Sequence, residues 1–155
     1  MKGDKMSIIS PEDKFGIKLE SRPGPRTIDQ MYSVVLGLVV LVLGILGFIL
    51  TGFENFTEMT DHAILGLVPT NGFHNLVYII FGVVWLLGAF ALTPAANQGL
   101  NIAAGGALVL VAVLGFLGYM SLLSIPAGIN GANILHLVVG LVSVIVGGGL
   151  LSGRS

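Results

Sequence analysis

The chain has no cysteine, which excludes structural disulfides, thiolate metal sites and thiol redox chemistry. Charge is scarce too. Only 10% of the 155 residues are Asp, Glu, Lys or Arg, against about 25% in a typical soluble domain. Basic residues are missing from most of the chain. Lys2, Lys5, Lys14, Lys18, Arg22 and Arg26 precede the first long apolar run, Arg154 stands beside the C-terminus, and none lies between. A net charge of −1 with no basic patch beyond that arm speaks against a nucleic-acid partner.

What the chain has instead is apolar surface. Hydrophobic residues make up 54% of it and mean hydropathy is +0.95. One core of this size cannot bury that many apolar side chains, so lipid must cover them. A bilayer core of ~30 Å takes about 20 apolar residues in a helix. Four segments meet that length, at about 31–51, 74–92, 100–123 and 133–151. None contains Asp, Glu, Lys or Arg. Helix is the form they must take, because hydrocarbon cannot satisfy an open strand edge. The fold class expected is therefore all-α: a polytopic membrane protein of four transmembrane helices, residues 31–152, behind an N-terminal arm, residues 1–30. The first apolar run is too long for the h-region of a cleaved signal peptide.

Orientation follows from lysine and arginine asymmetry. The arm carries six basic residues, while the segment 52–73 carries none and holds Glu54, Glu58 and Asp61. Both termini are expected on the cytoplasmic side of a bacterial inner or thylakoid membrane, which agrees with an even number of spans. Pro69, Asn71 and Gly72 precede the second span, Thr93 and Pro94 follow it, and Pro126, Asn130 and Gly131 precede the fourth. These are turn and helix-start residues.

The chain also echoes itself. Val42-Leu43-Gly44-Ile45-Leu46-Gly47-Phe48 matches Val113-Leu114-Gly115-Phe116-Leu117-Gly118-Tyr119. Asn75, Tyr78 and Gly82 share their spacing with Asn133, His136 and Gly140, and Asn71-Gly72 with Asn130-Gly131. The unit is a helix hairpin used twice in the same orientation, with a pseudo-axis along the membrane normal. Each i, i+3, i+7 triplet lies on one helix face. The axis should gather a structural polar cluster near the outer surface from Asn71, His74, Asn75, Tyr78, Asn130, Asn133 and His136.

The run Leu65-Gly66-Leu67-Val68-Pro69-Thr70-Asn71-Gly72-Phe73-His74-Asn75-Leu76-Val77 resembles the signature of a bacterial four-helix membrane family catalogued as domain of unknown function 4383. So do Arg26-Thr27 with Gln30, Tyr32 and Gly37, and the stretch Asn130-Gly131-Ala132-Asn133-Ile134-Leu135-His136-Leu137. The resemblance covers roughly residue 26 to the C-terminus. It implies a four-helix membrane fold and no established activity. Two departures stand out: members carry His at the place of Tyr78 and Asp at or near Ala132, and the first weakens a histidine-pair site.

His62, His74 and His136 all fall on the outer side in this topology. Joined to Glu54, Glu58 or Asp61 they would suit zinc or copper, but no H-x-x-x-H or H-x-x-E spacing exists, and the expectation is no metal. His74 and His136 are the candidate cofactor ligands, as single axial ligands to a pigment. A bis-His haem is disfavoured because the repeat puts His74 about 6 Å nearer the surface. The competing reading makes both part of a hydrogen-bonded cap. No nucleophile or acid pair lies in the spans, so no catalytic residue is assigned and an enzyme is not expected. The function expected is a non-catalytic scaffold or accessory subunit of a larger respiratory or photosynthetic membrane complex, or a homo-oligomer. Lipid, other membrane subunits or a second copy are its partners, with chlorophyll, carotenoid or lipid as conceivable cofactors. The alternatives are a small oligomeric channel or transporter, and a pigment- or metal-binding membrane protein using the outer His and Asn residues.

Overall fold

Local chemistry starts each helix of the computed structural model, which describes residues 16–17, 27–54 and 56–149. Thr27 Oγ1 accepts from Gln30 N (3.3 Å) and Gln30 Oε1 accepts from Thr27 N (3.4 Å), a capping box that opens α1, Ile28–Thr51. Asn71 caps α2, Gly72–Ala91, by accepting from His74 N at 2.8 Å. Thr93 caps α3, Pro94–Phe116, whose proline sits in the first turn where no N–H is needed. Asn130 caps α4, Gly131–Gly147. The only regular non-helical element among the described residues is a small antiparallel pair, β1 (Ala63–Ile64) and β2 (Val68–Pro69), in register Ala63↔Pro69 and Ile64↔Val68. It folds over the start of α2, where Ile64 and Val68 pack with Tyr78.

The protein is thus all-helical. α1, α2 and α3 are each long and apolar enough to cross a membrane. α4 is equally apolar but has 17 residues, roughly 26 Å at 1.5 Å per residue. Two helix bounds differ from those read off hydropathy. α3 begins at Pro94, not at residue 100, because Thr93 and Pro94 form a start signal that outweighs the polarity of Asn97, Gln98 and Asn101. It ends at Phe116, not at residue 123: Gly118, with φ 86°, turns the chain into a short 3-10 turn, Ser121–Leu123. Asp29 and Gln30, assigned above to the arm, belong to α1. The rest of that arm lies outside the described residues, apart from Gly16, Ile17, the cap Thr27 and Ile28. Gly16 and Ile17 pair with the α2–α3 turn, where Thr93 N donates to Gly16 O at 2.8 Å.

Connectivity puts the start of α1, the α2–α3 turn and the end of α4 at one end of the bundle, the terminal end. The two long connections lie at the other, the loop end. Within each hairpin the backbones touch. A Cβ on Gly37 would lie 3.0 Å from the carbonyl oxygen of Gly82, and one on Gly105 would lie 2.7 Å from that of Gly140. Small residues at such crossings let helices approach closely where no hydrophobic drive exists between them and lipid. Large side chains point outward: Met31, Val35, Leu38, Val42, Ile45 and Ile49 of α1 are all exposed, while its buried positions are Asp29, Gln30, Ser33, Gly37, Gly44 and Gly47.

Candidate functional site

At the loop end the two histidines of the bundle meet. The rings of His74 and His136 stack with centroids 6.0 Å apart and planes 24° apart, and His74 also lies against Tyr78 at 4.3 Å. His74 is 1% exposed and His136 7%. The offset in depth expected between them therefore does not keep the rings apart. His62 is exposed in the loop before β1. Among the described residues no three His, Asp or Glu side chains group as metal ligands would.

Asn75 and Asn133 do not join this cluster. Each turns into its own hairpin, against a glycine of the preceding helix. A Cβ on Gly47 would overlap the Asn75 amide, and one on Gly115 would overlap that of Asn133. Asn75 Nδ2 donates to Thr51 Oγ1 at 2.9 Å and its Oδ1 accepts from Thr70 Oγ1. Asn133 Nδ2 donates to the carbonyls of Pro126 (3.1 Å) and Gly128 (2.8 Å). Gly47 and Gly115 thus make matching contacts, whereas the string match pairs Gly44 with Gly115. Gly118, its proposed partner for Gly47, is a turn residue and packs no helix.

Asn71 and Asn130 each cap a helix and tie down a loop. Asn71 Nδ2 donates to Glu58 O (3.2 Å) and, across the bundle, to Leu122 O (3.0 Å). Asn130 Nδ2 donates only locally, to Pro126 O (2.8 Å) and Gly128 O (3.1 Å). A second loop-to-loop bond, Thr60 N to Ser124 Oγ at 3.1 Å, joins the two hairpins at this end.

A second polar cluster, at the terminal end, escaped the sequence reading. Asp29, Gln30, Ser33, Asn97 and Asn101 are each at most 2% exposed. Ser33 Oγ lies 3.0–3.1 Å from Asp29 O, Asn97 Oδ1 and Asn101 Oδ1. Trp85 Nε1 donates to Asn101 Oδ1 at 3.1 Å, and Gln98 Nε2 to Asp29 Oδ2 at 3.2 Å. Nearby, Tyr32 and Ser143 share a hydrogen bond of 2.6 Å between α1 and α4. The apolar stretches thus do border a buried carboxylate, Asp29, in the first turn of α1 where the helix dipole favours it. The signal was present: Asp29 and Ser33, like Asn97 and Asn101, are spaced i, i+4 on one helix face. Hydropathy windows that open at residues 31 and 100 cut both pairs away.

Trp85→Phe removes the donor to Asn101 and is expected to lower stability by about 1 kcal/mol, read from unfolding in mild detergent. Combined with Asn101→Ala the two losses should be less than additive. Full additivity would mean the bond contributes nothing.

Fold and site define an all-helical protein with membrane-compatible helices, polar clusters at both ends and an apolar outer surface. The model of the family described as Domain of unknown function (DUF4383) matches residues 30–148, so the chain belongs to that family. Comparison with curated proteins and with solved structures gives no match.

Proposed function

We infer that the protein is a non-catalytic integral membrane protein that acts as a scaffold or accessory subunit of a larger membrane assembly, or as a homo-oligomer. The observation that carries this is the disposition of α1. Most of its large apolar side chains face away from the bundle and its glycines and polar groups face in, so the helix offers neighbours in the membrane a broad apolar face. Most of the polar side chains inside are engaged with one another, with helix caps and with loop carbonyls. A water-filled channel between the hairpins draws no support, since the space between them is lined almost wholly by apolar surface.

Matching contacts in the two hairpins support their reading as two copies of one unit in the same orientation: Gly37 on Gly82 beside Gly105 on Gly140, and Gly47 on Asn75 beside Gly115 on Asn133. The basic residues of the arm and Arg154 support a cytoplasmic position for both termini in a bacterial membrane. Topology reporters fused to either end should both read cytoplasmic; opposite readings would refute this orientation. Isolation in mild detergent, together with crosslinking in intact membranes, should give a native mass above that of one chain. A single chain without a neighbour in both experiments would reject the assembly role.

A further inference from the structure

The longer connection at the loop end has two unlike halves. Residues 54–62 hold Glu54, Glu58 and Asp61, all exposed. Residues 63–73 hold no charged residue and form β1, β2 and the turn between them. In that turn Leu67 N donates to Ile64 O at 3.1 Å, and the two central residues, Leu65 and Gly66, have φ 54° and 69°. Two successive positive φ values favour Asn or Asp followed by Gly. Leucine is a poor choice there, because its Cβ crowds the backbone in the left-handed region. Packing within the chain does not explain it. Leu65 is 84% exposed and Leu67 71%. A strained, exposed leucine calls for a role outside the chain's own core.

Height decides what these side chains meet. Ile64 and Val68 pack with Tyr78, in the second turn of α2, and a helical side chain leans towards the start of its helix. The β-hairpin is therefore level with the first turns of α2. A Cβ on Gly131, the first residue of α4, would lie 3.4 Å from Leu67 O, which puts the turn level with that helix start too. Such ends are where a membrane-spanning helix meets the headgroup region. Tyr119, exposed three residues beyond the end of α3, stands where tyrosine marks the membrane boundary. Ile129, two residues before Gly131, is 88% exposed. From it the surface runs without a charged residue onto Ile134, Leu135 and Val138, the exposed face of α4.

We propose that the Leu65–Leu67 turn, with Ile129, inserts into the boundary between headgroups and acyl chains of the loop-end leaflet and anchors the roof of the bundle to lipid. Lipid is the occupant because the patch is uncharged, lies at the depth of the helix starts and continues a lipid-facing helix surface. No Lys or Arg occurs between Arg26 and Arg154, so attraction to anionic headgroups plays no part. Insertion rests on burial of aliphatic carbon and is insensitive to salt. Glu54, Glu58 and Asp61 stay on the water side. The anchor requires that the helices cross a bilayer, which one reporter tests separately.

Single tryptophans in a Trp85→Phe background provide the test, with the full chain in phosphatidylcholine vesicles brominated either near the headgroup or near the bilayer centre. Val42→Trp, on the exposed face of α1, reports the span and should be quenched most by deep bromine. Leu65→Trp and Leu67→Trp should emit to the blue of a water-exposed indole and be quenched most by shallow bromine, equally in low and high salt. If one of them loses the parental circular dichroism, the other carries the test. Thr57→Trp, at an exposed site in the acidic half, should emit as in water and escape quenching. An unquenched Val42→Trp would reject the span and the anchor with it. Val42→Trp quenched, with both turn reporters emitting as in water, would overturn the anchor alone. Blue-shifted turn emission without quenching would assign the patch to a second copy of the chain and overturn lipid as its partner.

Discussion

Gly47→Ala is expected to destabilise the protein by about 3 kcal/mol, although glycine-to-alanine in a helix interior is ordinarily stabilising by up to ~1 kcal/mol. The added methyl would occupy the place of the Asn75 amide. Either the helices part, which breaks the contact of Gly44 with the Asn75 backbone, or the amide rotates away and abandons Thr51 and Thr70. Overpacking costs about 1–3 kcal/mol, and each buried polar group left unmet costs a similar amount, so these terms outweigh the propensity gain. Gly106→Ala in α3 is the matched control, because nothing lies within 4 Å of its Cβ position; it should be neutral or slightly stabilising. Asn75→Ala in the Gly47→Ala background relieves the overlap, and the double variant should lose less than the sum by about 2 kcal/mol. Reversible unfolding in mixed detergent micelles measures the parent, Gly47→Ala, Gly106→Ala, Asn75→Ala and the double variant. Equal stabilities for Gly47→Ala and Gly106→Ala would show that the notch is not closed as described.

The second large effect separates two residues that look alike in sequence. Asn71→Ala should cost about 3 kcal/mol and Asn130→Ala about 1 kcal/mol. Both lose a helix cap. Asn71 additionally serves Glu58 O and Leu122 O, and among the described residues no other side chain donates to either carbonyl. The carbonyls served by Asn130, those of Pro126 and Gly128, keep a second donor in Asn133 Nδ2. Asn71→Asp retains the acceptor for His74 N and loses the donors, so it should fall between parent and alanine variant. Amide exchange should locate the difference. Asn71→Ala is expected to loosen both loop-end connections, since its bond to Leu122 joins them, whereas Asn130→Ala should affect residues 117–130 alone. Loosening of residues 117–130 alone in both variants would show that Asn71 does not couple the two loops.

Much of the helical framework was legible because its causes are local. A window of apolar residues without charge needs no knowledge of its neighbours to be read as membrane-compatible helix. Asn71-Gly72, Thr93-Pro94 and Asn130-Gly131 announce helix starts through side-chain oxygens that reach only three residues onward. The same locality explains where the reading stopped short. Polar residues in the first turns of α1 and α3 lower hydropathy, so the apolar windows began after Asp29 and Asn97 and left the terminal-end cluster unseen.

Other features had to wait for the third dimension. Glycines recur every three residues in Gly44/Gly47 and in Gly115/Gly118, so the two strings still share a glycine when slid by about one helical turn. Only the asparagine facing each glycine, Asn75 for Gly47 and Asn133 for Gly115, breaks that tie. Whether Asn75 and Asn133 turn towards each other or each into its own hairpin depends on which helix face meets which neighbour, and the spacing alone serves both. The stacking of His74 on His136 and the apolar space beside them likewise arise between residues far apart in the chain. Sequence by itself determined the solvent this protein suits and where its helices start, because hydropathy and capping act over one turn or one span. Tertiary structure decided which polar groups meet which partners, because that depends on how the helices pack within and between the hairpins.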